Sequence, residues 1–267
     1  MKRLAVLGHP VSHSRSPAMQ NAALADLGLA AEWAYEAIDV APGEFELRVR
    51  AMPGEGFAGA NVTVPHKGAA LSLADSLSET AREIGAANTL SFEAGEIRAD
   101  NTDAQGLLDA LSASFEGRRA LVLGAGGAAR AAVWALVRDG AEVSVWNRTA
   151  LRGEHLCAEL GGAPTTTPEQ SAYELIVNTS AAGLHGEDPF AELPLSPDRF
   201  ASDQTVVDLV YGGQPSSLLA AAEAAGATAI DGIEVLVRQG ALSLQIWTGQ
   251  TPSLDVMRAA APPQAAR

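Results

Sequence analysis

Arg119-Ala-Leu-Val-Leu-Gly124-Ala-Gly126-Gly127-Ala-Ala-Arg130 decides the fold of this chain. A short apolar strand, Arg119 to Leu123, stops at a glycine turn, and a helical pattern runs on from Gly127 to Arg138. Gly124 allows the tight turn and Gly126 lets the backbone approach a pyrophosphate. Ala129 takes the third small position, where the helix packs on the strand. Phosphate is favoured at the start of such a helix because its first N–H groups are free and its dipole is positive there. The next strand, Glu142 to Trp146, follows on schedule, so the segment reads as the first βαβ unit of a dinucleotide site.

The end of that second strand tells the cofactors apart. An NAD site usually carries Asp or Glu there, on the ribose 2′-OH. This chain has Trp146-Asn147-Arg148-Thr149, with Arg152 a turn later. With no carboxylate and two guanidiniums available to a 2′-phosphate, the pattern favours NADP. The plainer alternative leaves Arg148 as a surface arginine.

Downstream the alternation continues with a helix at Ala150 to Leu160 and a strand at Glu174 to Val177. A Pro-, Asp- and Glu-rich loop precedes a strand at Thr205 to Leu209, a helix at Pro215 to Ala225 and a last strand at Thr228 to Ile230. Helices at Ile233 to Trp247 and Leu254 to Ala260 come after the sheet has ended and are expected to pack back on the N-terminal part. Ala261 to Arg267 reads as frayed.

Upstream, a second alternating series points to another mostly parallel sheet. Its strands are expected at Arg3 to Gly8, Glu32 to Ile38, Ala60 to Val64, Ala87 to Phe92 and Glu96 to Ala99, the last two a hairpin around Ala94-Gly95. Its helices are expected from Pro17, with Ser16 as cap, to Leu27, then over Pro42 to Ala51, Gly68 to Leu77 and Ser78 to Ile84. Asp103 to Phe115 reads as a helix leaving this unit. Within it, Gly59-Ala-Asn-Val-Thr-Val-Pro-His-Lys67 is a strand stopped by Pro65. That stop puts Lys67, beside a threonine and an asparagine, where a polar ligand can meet it.

The 267 residues are enough for one large or two modest domains, with 47% apolar and 19% charged residues typical of a globular chain. Eighteen basic against 32 acidic residues give a net charge of −14, which argues against nucleic acid and anionic membrane surfaces as partners. A single cysteine, Cys157, excludes an internal disulfide and a cysteine metal cluster and reads as a buried structural thiol. The short apolar run after Met1 is no signal peptide, and Leu121 to Val137 is broken by glycines and Arg130, so the expected location is the cytoplasm.

A series of motifs, in order, resembles shikimate dehydrogenase along nearly the whole chain. They are His13-Ser-Arg-Ser16-Pro17, Asn61-Val-Thr63-Val-Pro-His-Lys67, Gly85-Ala-Ala-Asn88-Thr, Asn101-Thr-Asp103, the Gly124 turn, Asn147-Arg-Thr149, Asn178-Thr-Ser-Ala-Ala-Gly183, Asp208-Leu-Val-Tyr211 and Asp231-Gly-Ile-Glu-Val-Leu-Val-Arg-Gln239-Gly, with Trp247-Thr-Gly after it.

The resemblance implies NADPH-dependent reduction of 3-dehydroshikimate to shikimate by a monomer or homodimer with no metal. It implies two α/β domains with the substrate in the cleft between them. Residues 1–102 plus 238–267 would bind substrate, and residues 103–237 would form a Rossmann-type NADP domain. Lys67 and Asp103 would be the catalytic pair. Ser14 and Ser16 would hold the substrate carboxylate, and Thr63, Asn88, Asp103 and Gln239 the ring hydroxyls, with Tyr211 nearby. The cofactor set would be Gly124, Ala125, Gly126, Gly127, Ala128, Asn147, Arg148, Thr149, Arg152, Thr179, Ser180, Leu209 and Gly232.

The residue types suit that chemistry. Hydride arriving at a carbonyl carbon builds charge on oxygen and needs a positioned proton donor. Asp103 reads equally as an N-cap, Asn88 as a strand-end amide, and His13 and His66 as solvent-facing. Gln239 needs a hydrogen-bond partner if its helix is buried. Two departures from the family pattern stand out. Gly212-Gly213-Gln214-Pro215 follows Tyr211 where a Pro and later a Thr are usual, which predicts a mobile loop, and Val235 replaces a common Met. Competing readings are a quinate/shikimate enzyme tolerant of NAD and a sensor that binds without turnover. The sensor would be expected to lack Lys67 or Asp103.

Overall fold

The computed structural model describes residues 1–184, 186–211 and 216–261, and divides into two compact units. One is Met1–Gly106 joined by a second segment beginning at Leu236; the other is Leu107–Val235. Among the described residues, no helix is long and apolar enough to cross a membrane.

In chain order the elements are β1 (Lys2–Gly8), α1 (Ser16–Asp26), β2 (Trp33–Asp39), α2 (Phe45–Ala51), β3 (Phe57–Val62), α3 (Lys67–Leu73), β4 (Ser76–Leu77), α4 (Glu79–Ile84), β5 (Thr89–Glu93), β6 (Glu96–Asp100) and α5 (Asp103–Leu111). They continue with β7 (Arg119–Leu123), α6 (Gly127–Arg138), β8 (Glu142–Trp146), α7 (Ala150–Leu160), β9 (Ala163–Pro164), β10 (Leu175–Asn178), β11 (Thr205–Asp208), α8 (Ser217–Ala224), β12 (Thr228–Asp231), α9 (Gly232–Thr248) and α10 (Leu254–Ala259). The chain is α/β throughout.

The first unit holds a six-stranded sheet in the order β2-β1-β3-β5-β6-β4. Strands β2, β1 and β3 run parallel, β5 is antiparallel to both its neighbours, and β4 pairs parallel with β6. Leu4 to Leu7 are buried without alternation, because a parallel strand covered on both faces has no wet side. Phe45, Val49, Met52, Phe57, Val62 and Leu90 pack the core on one side.

The second unit holds six strands, β12-β11-β10-β7-β8-β9, all parallel. Side-chain alternation splits its strands between two cores. Ala120, Val122, Leu175, Val177 and Val207 face the cluster under α6 and α7, while Leu121, Leu123, Ile176 and Val206 face the one under α8. Cys157 lies in the first of these, and burial pushes its thiol pKa up, as expected of an inert structural thiol.

The structure corrects several expectations. Strand β3 starts three residues before the expected Ala60 and ends two before the expected Val64: Thr63 donates its N–H to Leu7 O at 2.8 Å, and Val64 is 68% exposed. The helix expected over Gly68–Leu77 stops at Leu73, because Ser76–Leu77 pairs with β6 instead. The Asp75 carboxylate accepts the N–H of Ile97 at 2.8 Å and pins that pairing. The helix expected to reach Phe115 ends at Leu111, with Ser112 at φ +55°. Ser16 is the first residue of α1 rather than its cap, and its N–H reaches Ser14 Oγ at 3.3 Å.

His66 is buried, stacked on Phe45 at 4.3 Å and hydrogen-bonded to Val40 O at 2.7 Å, so it does not face solvent. The two-residue β9 had no counterpart in the reading of the sequence. Ala261 is buried and its N–H bonds to Arg258 O, so fraying does not begin there. The 212–215 loop, the start of a helix at Pro215 and the 262–267 tail lie outside the described residues; α8 begins at Ser217, capped by the Ser216 hydroxyl.

Candidate active site

In the first unit, topology gathers one set of chain ends. Strands β1 and β3 run parallel, so Ser14 and Ser16 leave the same end of the sheet as Thr63 and Lys67. Because β5 is antiparallel, it starts where β3 and β6 finish: Thr89 pairs with both Asn61 and Asp100. Asn88 and the Asn101-Thr102-Asp103 turn therefore arrive at that same end.

Lys67 opens α3 and donates from Nζ to Asp103 Oδ2 at 2.6 Å, with both side chains mostly buried. Asp103 Oδ1 accepts from Asn88 Nδ2 at 2.9 Å. Asn88 cannot be flipped without loss, because its Oδ1 accepts the backbone N–H of Thr102 at 2.8 Å. Its Nδ2 also reaches Gln239 Oε1 at 3.0 Å, and Gln239 Nε2 donates to Leu236 O at 2.7 Å. Gln239 thus has the partners its place on an apolar helix requires. The cap on α5 is Asn101, whose Oδ1 accepts from the N–H groups of Asp103 and Ala104 at 3.0 and 3.3 Å. The capping role read for Asp103 is taken by Asn101, two residues earlier, and the Asp103 carboxylate turns to the lysine.

Behind Asn88 lies a polar layer to which the reading of the sequence gave no role. Ser243 Oγ, fully buried one turn beyond Gln239, lies 2.8 Å from Thr89 Oγ1 and 3.1 Å from Thr102 Oγ1, and accepts from Asn61 Nδ2 at 2.9 Å. Asn61 Oδ1 accepts from Tyr35 OH at 2.8 Å. Each such buried hydrogen bond contributes about 1 kcal/mol, and each orphaned partner would cost more. The available signal was the i, i+4 spacing of Gln239 and Ser243, which puts both on one face of α9.

The second unit presents the cofactor candidates at the carboxyl ends of its parallel strands. In open α/β sheets, ligands bind there, where strand order reverses. Here the order reverses between β7 and β10. Gly124 has φ +120°, and a Cβ on it would fall 2.6 Å from Thr179 Oγ1, which itself donates to Leu123 O at 2.8 Å. Ser180 is set by Asn178, whose Oδ1 accepts from the Ser180 N–H and Oγ at 3.1 and 2.7 Å. Helix α6 starts after Gly126 with no side-chain cap, and a Cβ on Gly126 would meet nothing within 4 Å. Its first N–H groups, with Ala125 and Ala128 beside them, fit a pyrophosphate.

Asn147, Arg148 and Thr149 follow β8, with Asn147 Nδ2 donating to Thr149 O at 2.9 Å. Arg152 is exposed in the first turn of α7, while Arg148 pairs with Glu192 at 3.1 Å. Leu209 follows β11 and Gly232 follows β12. Tyr211 belongs to this unit, half-buried two residues after Leu209.

Asp208, fully buried at the end of β11, accepts from Asn178 Nδ2 at 2.9 Å and Val210 N–H at 3.1 Å. Burial raises its pKa above the ordinary carboxylate value; hydrogen bonds from Ser216, Val210 and Asn178 oppose this, and the charge of neighbouring Asp231 adds to it. A raised carboxyl contributes stability that is complete below the unfolded pKa of 3.8 and is lost as pH rises through the folded value. Asp208→Asn should therefore gain on the wild type as pH rises, by about 1.4 kcal/mol per unit of displacement. Melting curves of the two proteins from pH 4 to 8 test this; parallel curves would refute it.

Comparison with known proteins covers both units. A model described as the shikimate dehydrogenase substrate binding domain matches residues 6–90, one for shikimate / quinate 5-dehydrogenase matches 107–180, and one for the shikimate 5′-dehydrogenase C-terminal domain matches 232–261. Shikimate dehydrogenase (NADP(+)) of Anaeromyxobacter sp. strain K is 45% identical over 95% of this chain and 94% of its own. The enzyme of the same name from Methanocella arvoryzae is 43% identical over 96% of both. The crystal structure of shikimate 5-dehydrogenase from Thermus thermophilus with NADP(H) and shikimate superposes with a TM-score of 0.88 at 41% identity, covering 98% of each chain. With matches of that identity running through both units, the chain belongs to the shikimate dehydrogenase family.

Proposed function

We propose that this protein catalyses the reversible NADPH-dependent reduction of 3-dehydroshikimate to shikimate, with Lys67 as acid and base and Asp103 as its partner. The observation that carries the reading is the Lys67–Asp103 contact at 2.6 Å, itself fixed by Asn88. When bound, NADPH supplies the hydride. As charge builds on the substrate oxygen, the Lys67 ammonium donates a proton to it, and in the reverse direction neutral Lys67 takes the proton back. Asp103 restrains the ammonium to one position, which removes the orientational cost from the reacting state.

Ser14 and Ser16 hold the substrate carboxylate, and Thr63, Asn88, Asp103 and Gln239 meet its hydroxyls. A site built for several hydroxyls discriminates by what it leaves unpaired, at about 1–3 kcal/mol for each missing group. Gly124–Ala128 would hold the cofactor's pyrophosphate, Arg148 and Arg152 with Asn147 and Thr149 its 2′-phosphate, and Thr179, Ser180, Leu209 and Gly232 would complete the cofactor set.

Initial rates of shikimate oxidation test this, with quinate and NAD as parallel controls. NADP should exceed NAD by roughly 10- to 100-fold in kcat/KM, the range of one charge-assisted hydrogen bond. Comparable rates with quinate or NAD would replace this reading with that of a broader quinate/shikimate enzyme. Shikimate binding without turnover would replace it with that of a sensor.

A further inference from the structure

We propose that Glu192 occupies the Arg148 guanidinium when NADP is absent, and so narrows this chain's preference for NADP over NAD. The inference rests on the reading of Arg148 as a ligand of the 2′-phosphate. Arg148 follows β8, where an NAD site would carry an acid on the same strand end. Here the acid comes from 44 residues further along, in the segment between β10 and β11, with Arg148 Nη1 at 3.1 Å from Glu192 Oε2.

The two partners are held differently. Glu192 ends the short 3₁₀ turn Pro189–Ala191; its N–H and that of Leu193 both bond to Pro189 O, while Pro189 and Leu193 are buried. The backbone that carries the carboxylate is therefore anchored. The Arg148 side chain is 82% exposed where it pairs with Glu192, so it swings at little cost.

A phosphate arriving at Arg148 displaces this carboxylate and then lies close to it. The displaced pair is solvent-exposed, and the repulsion that follows acts through water, so both are small and screened by salt. Together they weaken NADP about two- to fivefold, the scale of one exposed ion pair. NAD, without the phosphate, leaves the Arg148–Glu192 pair intact and is unaffected. Glu192 thus narrows the gap between the cofactors that the arginine opens.

The test is direct binding, by calorimetry or cofactor fluorescence, of NADP and NAD to the wild type, Glu192→Gln and Arg148→Gln. It is run at low salt and again at about 0.5 M, where the Debye length is only a few ångströms. Glu192→Gln should bind NADP about two- to fivefold more tightly at low salt, bind NAD unchanged, and lose its advantage at high salt. An unchanged NADP affinity in Glu192→Gln, with Arg148→Gln weakened, overturns the inference and leaves the reading of Arg148 standing. Weaker NADP binding in Glu192→Gln also overturns it, since the carboxylate would then be orienting the arginine. If Arg148→Gln binds NADP like the wild type, the reading of Arg148 falls and the inference falls with it.

Discussion

Lys67→Ala should lose about 10²- to 10⁴-fold in kcat for shikimate oxidation, the usual share of a positioned general acid–base group. Shikimate affinity should change far less, because the groups proposed for its carboxylate and hydroxyls stay in place. The remaining Asp103 keeps its bond to Asn88 but loses the ammonium at 2.6 Å, so a mostly buried carboxylate is left half-satisfied. Some stability goes with it, since removing one partner of a buried pair costs more than the pair contributes. Lys67→Ala combined with Asp103→Asn should recover that stability and no activity. Steady-state rates at saturating shikimate, calorimetric shikimate binding and urea melts separate the three effects. A kcat within tenfold of the wild type would end the assignment of Lys67 as the proton donor.

The second large effect is structural. Gly59 lies in the middle of β3, paired with Leu4 on one side and Ser91 on the other. The indole of Trp247, from α9, rests directly on it and donates Nε1–H to Leu90 O at 3.0 Å. A Cβ at position 59 would fall 2.2 Å from Trp247 Nε1 and 2.6 Å from Leu90 O. The backbone oxygen belongs to a sheet and cannot retreat, so the tryptophan must leave, giving up its hydrogen bond and its contact with Tyr35 at 6.3 Å. Gly59→Ala should therefore cost on the order of 3 kcal/mol or more, the upper range for overpacking. It should also weaken shikimate binding, because α9 carries Gln239 and Ser243. A urea midpoint equal to the wild type, with unchanged tryptophan fluorescence, would refute this.

Much of the second unit was legible from local pattern alone. The strand Arg119–Leu123, the helix Gly127–Arg138, the strand Glu142–Trp146 and the helix Ala150–Leu160 lie where the periodicity and the glycine turn placed them. A βαβ unit with both faces covered writes its boundaries into apolar runs and breakers, so nearest neighbours suffice. The first unit was less legible because distant pairing decides its details. Ser76–Leu77 reads as the tail of a helix until β6 comes alongside, and Asp75 has no evident purpose until its carboxylate meets Ile97.

The polar residues follow the same division. Lys67 stands out beside a strand stop, whereas Asn88, Asp103 and Gln239 enter the site through the resemblance of their motifs to the family. Thr89, Thr102 and Ser243, which hold Asn88 from behind, are small hydroxyls whose meeting is set by three separate elements. Nothing at their own positions announces it. Glu192 is the extreme case, an ordinary loop acid until the fold carries it to Arg148.

The division of the chain has a consequence for how the protein is made. Among the described residues, the second unit is one continuous segment, Leu107–Val235, inserted into the first, which is assembled from the segments on either side of it. Gln20 Nε2 donates to Gly240 O at 3.0 Å, and α10 packs along α1, so α1 waits for segments synthesised more than 200 residues later. On the ribosome the inserted unit can close on itself while the N-terminal sheet still lacks Trp247 over Gly59 and Gln239 against Asn88. The Asn88–Gln239 contact is thus made only once α9 has been synthesised, and a nascent chain cut short before α9 would carry the strands of the second unit beside an unfinished first one.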